Sequence, residues 1–142
     1  MPIASSLLNK PKLVKKLKEF YDYVKKNDGK VGKKTRGIDL NFNNACNLRC
    51  KYCFTNSPKG DHVIEYLDIG AIRKLADEAD ELGYFEFDLQ GGELLLQPKK
   101  LFEVLEAIKP ERFYMYLTTN GYYLDEAMAK KLAEYKVSRV SV

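Results

Sequence analysis

Apolar residues recur at helical spacing near the start of the chain. Steps of four, three and four residues put four of them on one stripe: Leu13, Leu17, Phe20 and Val24. Lysines occupy the positions between them: Lys15, Lys16, Lys18, Lys25 and Lys26. The pattern predicts an amphipathic helix that begins at Pro11 and ends near residues 27–29, with a linker over residues 30–37.

After the linker the hydrophobic period changes to two, which indicates a strand. Ile38, Leu40 and Phe42 alternate with polar residues, so this strand carries polar groups on one face. Similar runs predict strands over residues 84–89 and 113–117, and the start of a fourth over residues 137–142.

Helical patterns separate these predicted strands. Asp68 is positioned to cap a helix that stops at Gly83, Pro98 begins a helix that runs through Ile108, and Asp125 caps a helix that ends near residue 135. Alternating strands and helices predict an α/β fold with a parallel sheet. In such folds the loops at the carboxyl ends of the strands gather on one rim, where ligands bind.

Composition narrows the class of protein to which this chain can belong. The 142 residues are 45% hydrophobic, enough for one core, and no stretch approaches the roughly 18 apolar residues of a membrane span. We therefore expect a cytoplasmic protein with no membrane partner. Its three cysteines, an odd number, fit a disulfide framework poorly and fit reduced thiols that serve chemistry or metal binding.

The positive charge is confined to the N-terminal segment. Residues 1–36 contain 11 Lys and Arg against 3 acids, which leaves 13 basic and 17 acidic residues in 37–142. The charge has two interpretations: a solvated lysine face on a helix that covers one end of the fold, or a surface for an acidic partner. No basic patch interleaved with aromatic residues argues for nucleic acid.

The cysteines themselves form the strongest motif. Cys46, Cys50 and Cys53 have the spacing C-x3-C-x2-C and directly follow the first predicted strand. Three thiolates so close together can hold an iron-sulfur cube, and because the cube has four irons, one iron keeps an open position for a small molecule. A Cys3His zinc site that uses His62, the sole histidine, is the alternative.

This loop resembles the signature of the radical S-adenosylmethionine (SAM) superfamily, and the resemblance covers residues 38–142. It implies an oxidoreductase with two cofactors, a [4Fe-4S] cluster and S-adenosylmethionine. In this family the open iron chelates the methionine moiety, and reductive cleavage gives a 5'-deoxyadenosyl radical that abstracts a substrate hydrogen.

The same resemblance assigns roles to further residues. Tyr52 would lie along the adenine, and Phe54 would help to exclude water from the cluster. Gly91, Gly92 and Glu93, after the second predicted strand, would engage the methionine amino group. Many members have proline after this glutamate, whereas Leu94 stands here.

The third loop, residues 118–121, has two interpretations. Its Asn-Gly pair is a strong turn signal and needs no other role. Members of the SPASM group, which modify peptides, often have Thr-Asn-Gly at this position, and there Asn120 would face the cofactor. Asp88 and Gln90 are further candidates for the rim.

The resemblance further implies a peptide or protein substrate and a reducing flavoprotein or ferredoxin-like electron donor. It implies the N-terminal portion of a partial (β/α)6 barrel over residues 37–142, preceded by the helix and linker of residues 1–36. Because the barrel needs about six units, we expect a fragment of a longer enzyme. The alternative function is a non-catalytic iron-sulfur or zinc module that binds a partner.

Overall fold

The computed structural model describes residues 7, 9–32, 34, 36–41, 43–55 and 67–142. Its sheet has four parallel strands in the order β1-β2-β3-β4. The strands are β1 Gly37–Asn41, β2 Glu86–Gln90, β3 Tyr114–Thr118 and β4 Arg139–Ser141. The helices are α1 Pro11–Lys26, α2 Ile69–Glu81, α3 Pro98–Ile108 and α4 Glu126–Glu134, with short 3-10 turns at Leu94–Leu96 and Pro110–Arg112. The predicted α/β class with parallel strands is confirmed.

Two predicted caps begin their helices. The Asp68 carboxylate accepts a hydrogen bond from the Ala71 amide at 2.7 Å, and Asp125 accepts one from the Met128 amide at 2.7 Å. Each carboxylate satisfies an amide that has no partner within its own helix. The helices therefore begin where the sequence predicted.

The strand limits differ slightly from the prediction. β2 starts two residues later than residue 84, because the Tyr84 amide donates to the Ala79 carbonyl and so belongs to the turn after α2. β3 starts after Phe113, whose amide donates to the Pro110 carbonyl of a 3-10 turn. Phe42, predicted in the first strand, lies outside the described residues.

One face of the sheet forms the core. Phe87 and Leu89 of β2 and Met115 and Leu117 of β3 are at most 1% exposed and belong to the cluster that the helices cover. Because strand side chains alternate, the residues between them lie on the opposite face. The helices thus cover one face, and the polar positions of β2 and β3 share the other.

Helix α1 packs at the amino-terminal end of the strands. The Lys10 ammonium donates to the Phe113 carbonyl and to the Ser138 hydroxyl, both at 2.9 Å. The Lys16 ammonium donates to the Tyr84 carbonyl at 2.9 Å. These acceptors stand just before β2, β3 and β4. Helix α1 therefore lies at the end of the strands opposite the loops that follow them.

The assignment of Lys16 to a solvated lysine face is wrong. Lys16 is 9% exposed, and besides its carbonyl acceptors it forms an ion pair with Asp80 of α2. The long side chain reaches the Tyr84 and Arg112 carbonyls, which stand just before β2 and β3. No helix in the described part of the chain is long and apolar enough to span a bilayer.

Replacing Lys16 with alanine should lower the free energy of unfolding by about 2 kcal/mol, since the Tyr84 and Arg112 carbonyls lose a buried donor and Asp80 keeps only its longer contact with Arg112. Chemical denaturation monitored by circular dichroism measures the change. Lys18→Ala, at an exposed position of the same helix, is the control and should change stability by less than about 0.5 kcal/mol. Equal effects of the two substitutions would show that the contacts of Lys16 add no stability.

Candidate active site

The cysteine loop leaves the carboxyl end of β1. Cys46 and Cys53 are half-buried, Cys50 is exposed, and none of the three forms a disulfide within the described part of the chain. The Leu48 amide donates to the Cys46 sulfur at 3.4 Å, and the Cys53 amide donates to the Cys50 carbonyl at 3.3 Å. The loop therefore has internal order while its thiols stay accessible.

The segment after β2 supports the start of this loop. The Gly92 amide donates to the Asn43 carbonyl at 2.8 Å, and the Glu93 amide donates to the Ala45 carbonyl at 2.7 Å. These two main-chain hydrogen bonds continue the β1–β2 pairing beyond the strands. They fix the residue that precedes Cys46.

Only glycine fits at the two positions before Glu93. A Cβ atom at Gly91 would lie 2.4 Å from the Asn43 carbonyl oxygen, and one at Gly92 would lie 2.1 Å from the Ala45 carbonyl oxygen. Gly91 also has a φ of 145°, which residues with a side chain rarely adopt. The paired glycines therefore allow the two loops to touch through their backbones.

Glu93 is fully buried and joins the second loop to the third. Its Oε1 accepts hydrogen bonds from the Leu95 amide at 2.8 Å and the Thr119 hydroxyl at 2.6 Å. Its Oε2 accepts one from the Asn120 amide at 2.8 Å. None of the ion pairs among the described residues includes Glu93, so three neutral donors stabilise this carboxylate.

The Asn120 side chain contacts the cysteine loop. Its Nδ2 lies 2.9 Å from the Asn47 side-chain oxygen and 3.9 Å from the Cys46 sulfur. Its Oδ1 accepts a hydrogen bond from the Tyr122 amide at 3.0 Å. Asn120 therefore forms the turn that its Asn-Gly pair predicted and also reaches the first cysteine.

The structure thus brings together Cys46, the Gly-Gly-Glu segment and Asn120. Tyr52 and Phe54 are 91% and 75% exposed, so in this structure neither ring is packed against the loops. Gln90 ends β2 at the rim, whereas Asp88 lies two residues deeper in the strand. The roles predicted for Tyr52 and Phe54 stay predictions.

The donor set suits an iron-sulfur cluster. Among the described residues, no three His, Cys, Asp or Glu side chains converge as the ligands of a single ion do. In an iron-sulfur cube each thiolate binds a different iron, so the ligands need only surround the cube, as accessible thiols on one loop are able to do. His62, the fourth ligand of the zinc alternative, lies outside the described residues.

A buried amide beside this loop lacks a partner. Asn43 is 5% exposed, and within the described part of the chain neither polar atom of its side chain has a hydrogen-bond partner. Buried amides are normally satisfied, and a bound molecule is one source of the missing partner. The Asn43 side chain therefore fits a rim that receives a polar ligand.

The open face of the sheet is polar. Asp39, Asp88, Tyr116 and Arg139 stand in register across the four strands. Burial, and then the nearby Asp39 and Glu86 carboxylates, raise the pKa of Asp88 above its ordinary value. A face with charged groups in register is built to contact water or a polar ligand rather than an apolar core.

Sequence reasoning missed part of this network. Asn47, Thr119 and the Asn43 side chain were not predicted as site residues, although each lies in or beside a predicted loop. Thr119 had one available signal, its place directly before the Asn-Gly pair. Its contact with a carboxylate 26 residues away depends on how the strands pair.

Known proteins place this chain in a family. Residues 40–142 match the radical SAM superfamily. The chain is 35% identical over 116 residues to a protein named "Probable GTP 3',8-cyclase" from Methanocaldococcus jannaschii. This match covers 80% of this chain and 37% of that protein. It is 33% identical over 104 residues to a cysteine-type anaerobic sulfatase-maturating enzyme from Clostridium perfringens, covering 64% of this chain and 28% of the relative.

The chain belongs to the radical SAM superfamily, whose members are enzymes that use a [4Fe-4S] cluster and S-adenosylmethionine. The family and the two cofactors that the sequence predicted are confirmed. The resemblance to the peptide-modifying group is supported in part, because the relatives include GTP cyclases as well as the sulfatase-maturating enzyme. The chain spans about a third of the length of these relatives.

Replacing Gly92 with alanine should prevent the cysteine loop from docking, because the new methyl group meets the Ala45 carbonyl oxygen at 2.1 Å. We expect less than half of the wild-type iron content after anaerobic loading with iron and sulfide, measured by iron and acid-labile sulfide analysis.

Gly83→Ala is the matched control for that variant. Gly83 has a positive φ of 80°, but a Cβ atom there meets nothing within 4 Å. This variant should lose roughly 1 kcal/mol of stability through backbone strain and keep its iron. Full iron loading of Gly92→Ala would contradict the proposed close approach.

Proposed function

We propose that Cys46, Cys50 and Cys53 hold the [4Fe-4S] cluster of this chain, and that S-adenosylmethionine binds at its open iron. When bound, the cluster supplies the electron that cleaves S-adenosylmethionine to methionine and a 5'-deoxyadenosyl radical, which abstracts a substrate hydrogen. One observation carries the proposal: the cysteine loop, the Gly-Gly-Glu segment and Asn120 meet through hydrogen bonds at one rim.

In this proposal the residues of the rim position the cofactor. Gly91 and Gly92 leave main-chain groups that no side chain covers, so the methionine amino group can approach them closely. Tyr52, on the exposed part of the loop, is free to lie along the adenine ring. Asn120 faces the same space from the third strand.

For the substrate we propose a peptide or protein side chain. The Thr-Asn-Gly loop and the similarity to a sulfatase-maturating enzyme support this class. The polar row of Asp39, Asp88, Tyr116 and Arg139 would offer hydrogen bonds to such a substrate. A reducing flavoprotein or ferredoxin-like protein in the cytoplasm would supply electrons.

A nucleotide is the second candidate substrate. Relatives from Methanocaldococcus jannaschii and Nautilia profundicola carry the name GTP 3',8-cyclase and match 80% of this chain at 35% and 34% identity. The acidic members of the polar row, Asp39 and Asp88, would repel phosphates and would have to contact a base or ribose instead. Arg139 of the same row would attract phosphates, so the preference for a peptide rests on the Thr-Asn-Gly loop rather than on the charge of this row.

The activity is tested by anaerobic loading of the protein with iron and sulfide, followed by S-adenosylmethionine and dithionite. We expect broad brown absorption that dithionite bleaches, and 5'-deoxyadenosine and methionine detected by mass spectrometry. Alanine at Cys46, Cys50 or Cys53 should reduce 5'-deoxyadenosine at least 100-fold, because each thiolate holds one iron.

Lys51→Ala, in the same loop, is the control for the cysteine variants and should keep its cluster. Colourless protein that binds stoichiometric zinc and no iron would reject the proposal in favour of the zinc module. A loaded cluster that never yields 5'-deoxyadenosine would favour the non-catalytic iron-sulfur module.

Replacing Glu93 with alanine should weaken the binding of S-adenosylmethionine at least tenfold, because the loops that approach the methionine moiety lose the carboxylate that holds them. Isothermal titration of the loaded protein measures the dissociation constant. Glu103→Ala, which removes an exposed carboxylate paired with Lys100, is the control. Normal affinity in Glu93→Ala would overturn this role.

A further inference from the structure

We infer that the Asn120 side chain is a hydrogen-bond donor to the Cys46 ligand of the cluster, that it raises the cluster's reduction potential, and that the buried Glu93 carboxylate holds it in place. The inference rests on the proposed cluster. It assigns the two residues a positioning and tuning role that is separate from contact with S-adenosylmethionine.

Two nitrogen donors from different parts of the chain converge on the Cys46 sulfur. The Cys46 sulfur faces two nitrogen donors, the Leu48 amide at 3.4 Å and the Asn120 Nδ2 at 3.9 Å. The first is part of the cysteine loop itself. The second arrives from β3, 74 residues along the chain, so the fold has to bring it there.

The Asn120 side chain is held by both of its polar atoms. Its Oδ1 accepts the Tyr122 amide, which fixes the side chain in the turn, and its Nδ2 also donates to the Asn47 oxygen at 2.9 Å. An amide nitrogen has two hydrogens, so one is directed at Asn47 while the other remains for the sulfur. The amide is thus oriented before any cluster is bound.

The Glu93 carboxylate supports the backbone around Asn120. The Asn120 amide donates to Glu93 Oε2 at 2.8 Å, and the Thr119 hydroxyl donates to Oε1 at 2.6 Å. Glu93 is fully buried, and both of its oxygens are engaged. Any movement of the carboxylate therefore moves the residue that carries the donor.

The chemistry gives the direction of the effect. Reduction adds negative charge to a cluster and its thiolates, and a hydrogen bond to a ligand sulfur stabilises that charge. Such a donor therefore raises the reduction potential. Because the cluster must pass an electron to a bound molecule, this donor sets part of the driving force for that transfer.

The test is a potentiometric titration of the loaded protein, followed by electron paramagnetic resonance of the reduced cluster. Asn120→Ser keeps a short side-chain acceptor for the turn and loses the longer amide donor that reaches the Cys46 sulfur, so we expect a midpoint potential more negative than that of the wild type. Asn44→Ala, an exposed change two residues before Cys46, is the control and should leave the potential unchanged.

A second variant separates tuning from loss of folding. Glu93→Gln keeps the size of the side chain but replaces one acceptor oxygen by a donor, so at least one of the Leu95 and Asn120 amides loses its acceptor. We expect this variant to shift the potential in the same direction as Asn120→Ser. Combining the two substitutions should add less than the sum of the single shifts.

The outcomes are distinguishable. Unchanged potentials in loaded Asn120→Ser and Glu93→Gln would overturn the inference and leave the proposed function standing. Failure of wild-type protein to load any iron-sulfur cluster would overturn both. If Asn120→Ser alone fails to load, a potential equal to that of the wild type in loaded Glu93→Gln decides against the inference, and a more negative one supports it.

Discussion

A single buried carboxylate connects the loops of this site. Glu93 has no cationic partner among the described ion pairs, and its charge is stabilised by two amides and a hydroxyl. Because these donors come from its own segment and from the end of β3, the carboxylate fixes the distance between two neighbouring loops. The main-chain amide of Glu93 donates to the Ala45 carbonyl just before Cys46, so this one residue contacts all three loops.

The paired glycines make this connection possible. Main-chain hydrogen bonds to Asn43 and Ala45 require a separation that a side chain would prevent. The result is a rim in which the cysteine loop keeps accessible thiols although its base is fixed. An iron-sulfur cluster with one open iron needs both properties, since the ligands must close around it while a small molecule reaches the fourth corner.

The amino-terminal end of the strands, opposite these loops, is covered by a helix. Helix α1 inserts Lys10 and Lys16 among carbonyl groups at the amino ends of the strands, where buried ammonium groups find several acceptors each. Burial, and then the nearby Lys136 ammonium, lower the pKa of Lys10 to about 8 although its ammonium is hydrogen-bonded. The loops of the candidate site and the buried lysines thus occupy opposite ends of the same strands.

The sequence alone determined the elements, the class of fold and the cysteine motif, because periodicity, caps and ligand spacing are local properties. Asp68 and Asp125 cap their helices as predicted, and C-x3-C-x2-C is complete within one loop. Only the tertiary structure decided that Lys16 is buried, that Glu93 binds the third loop and that Asn120 reaches Cys46. Those contacts join residues 26 to 96 positions apart, and strand pairing, which no local pattern encodes, brings them together.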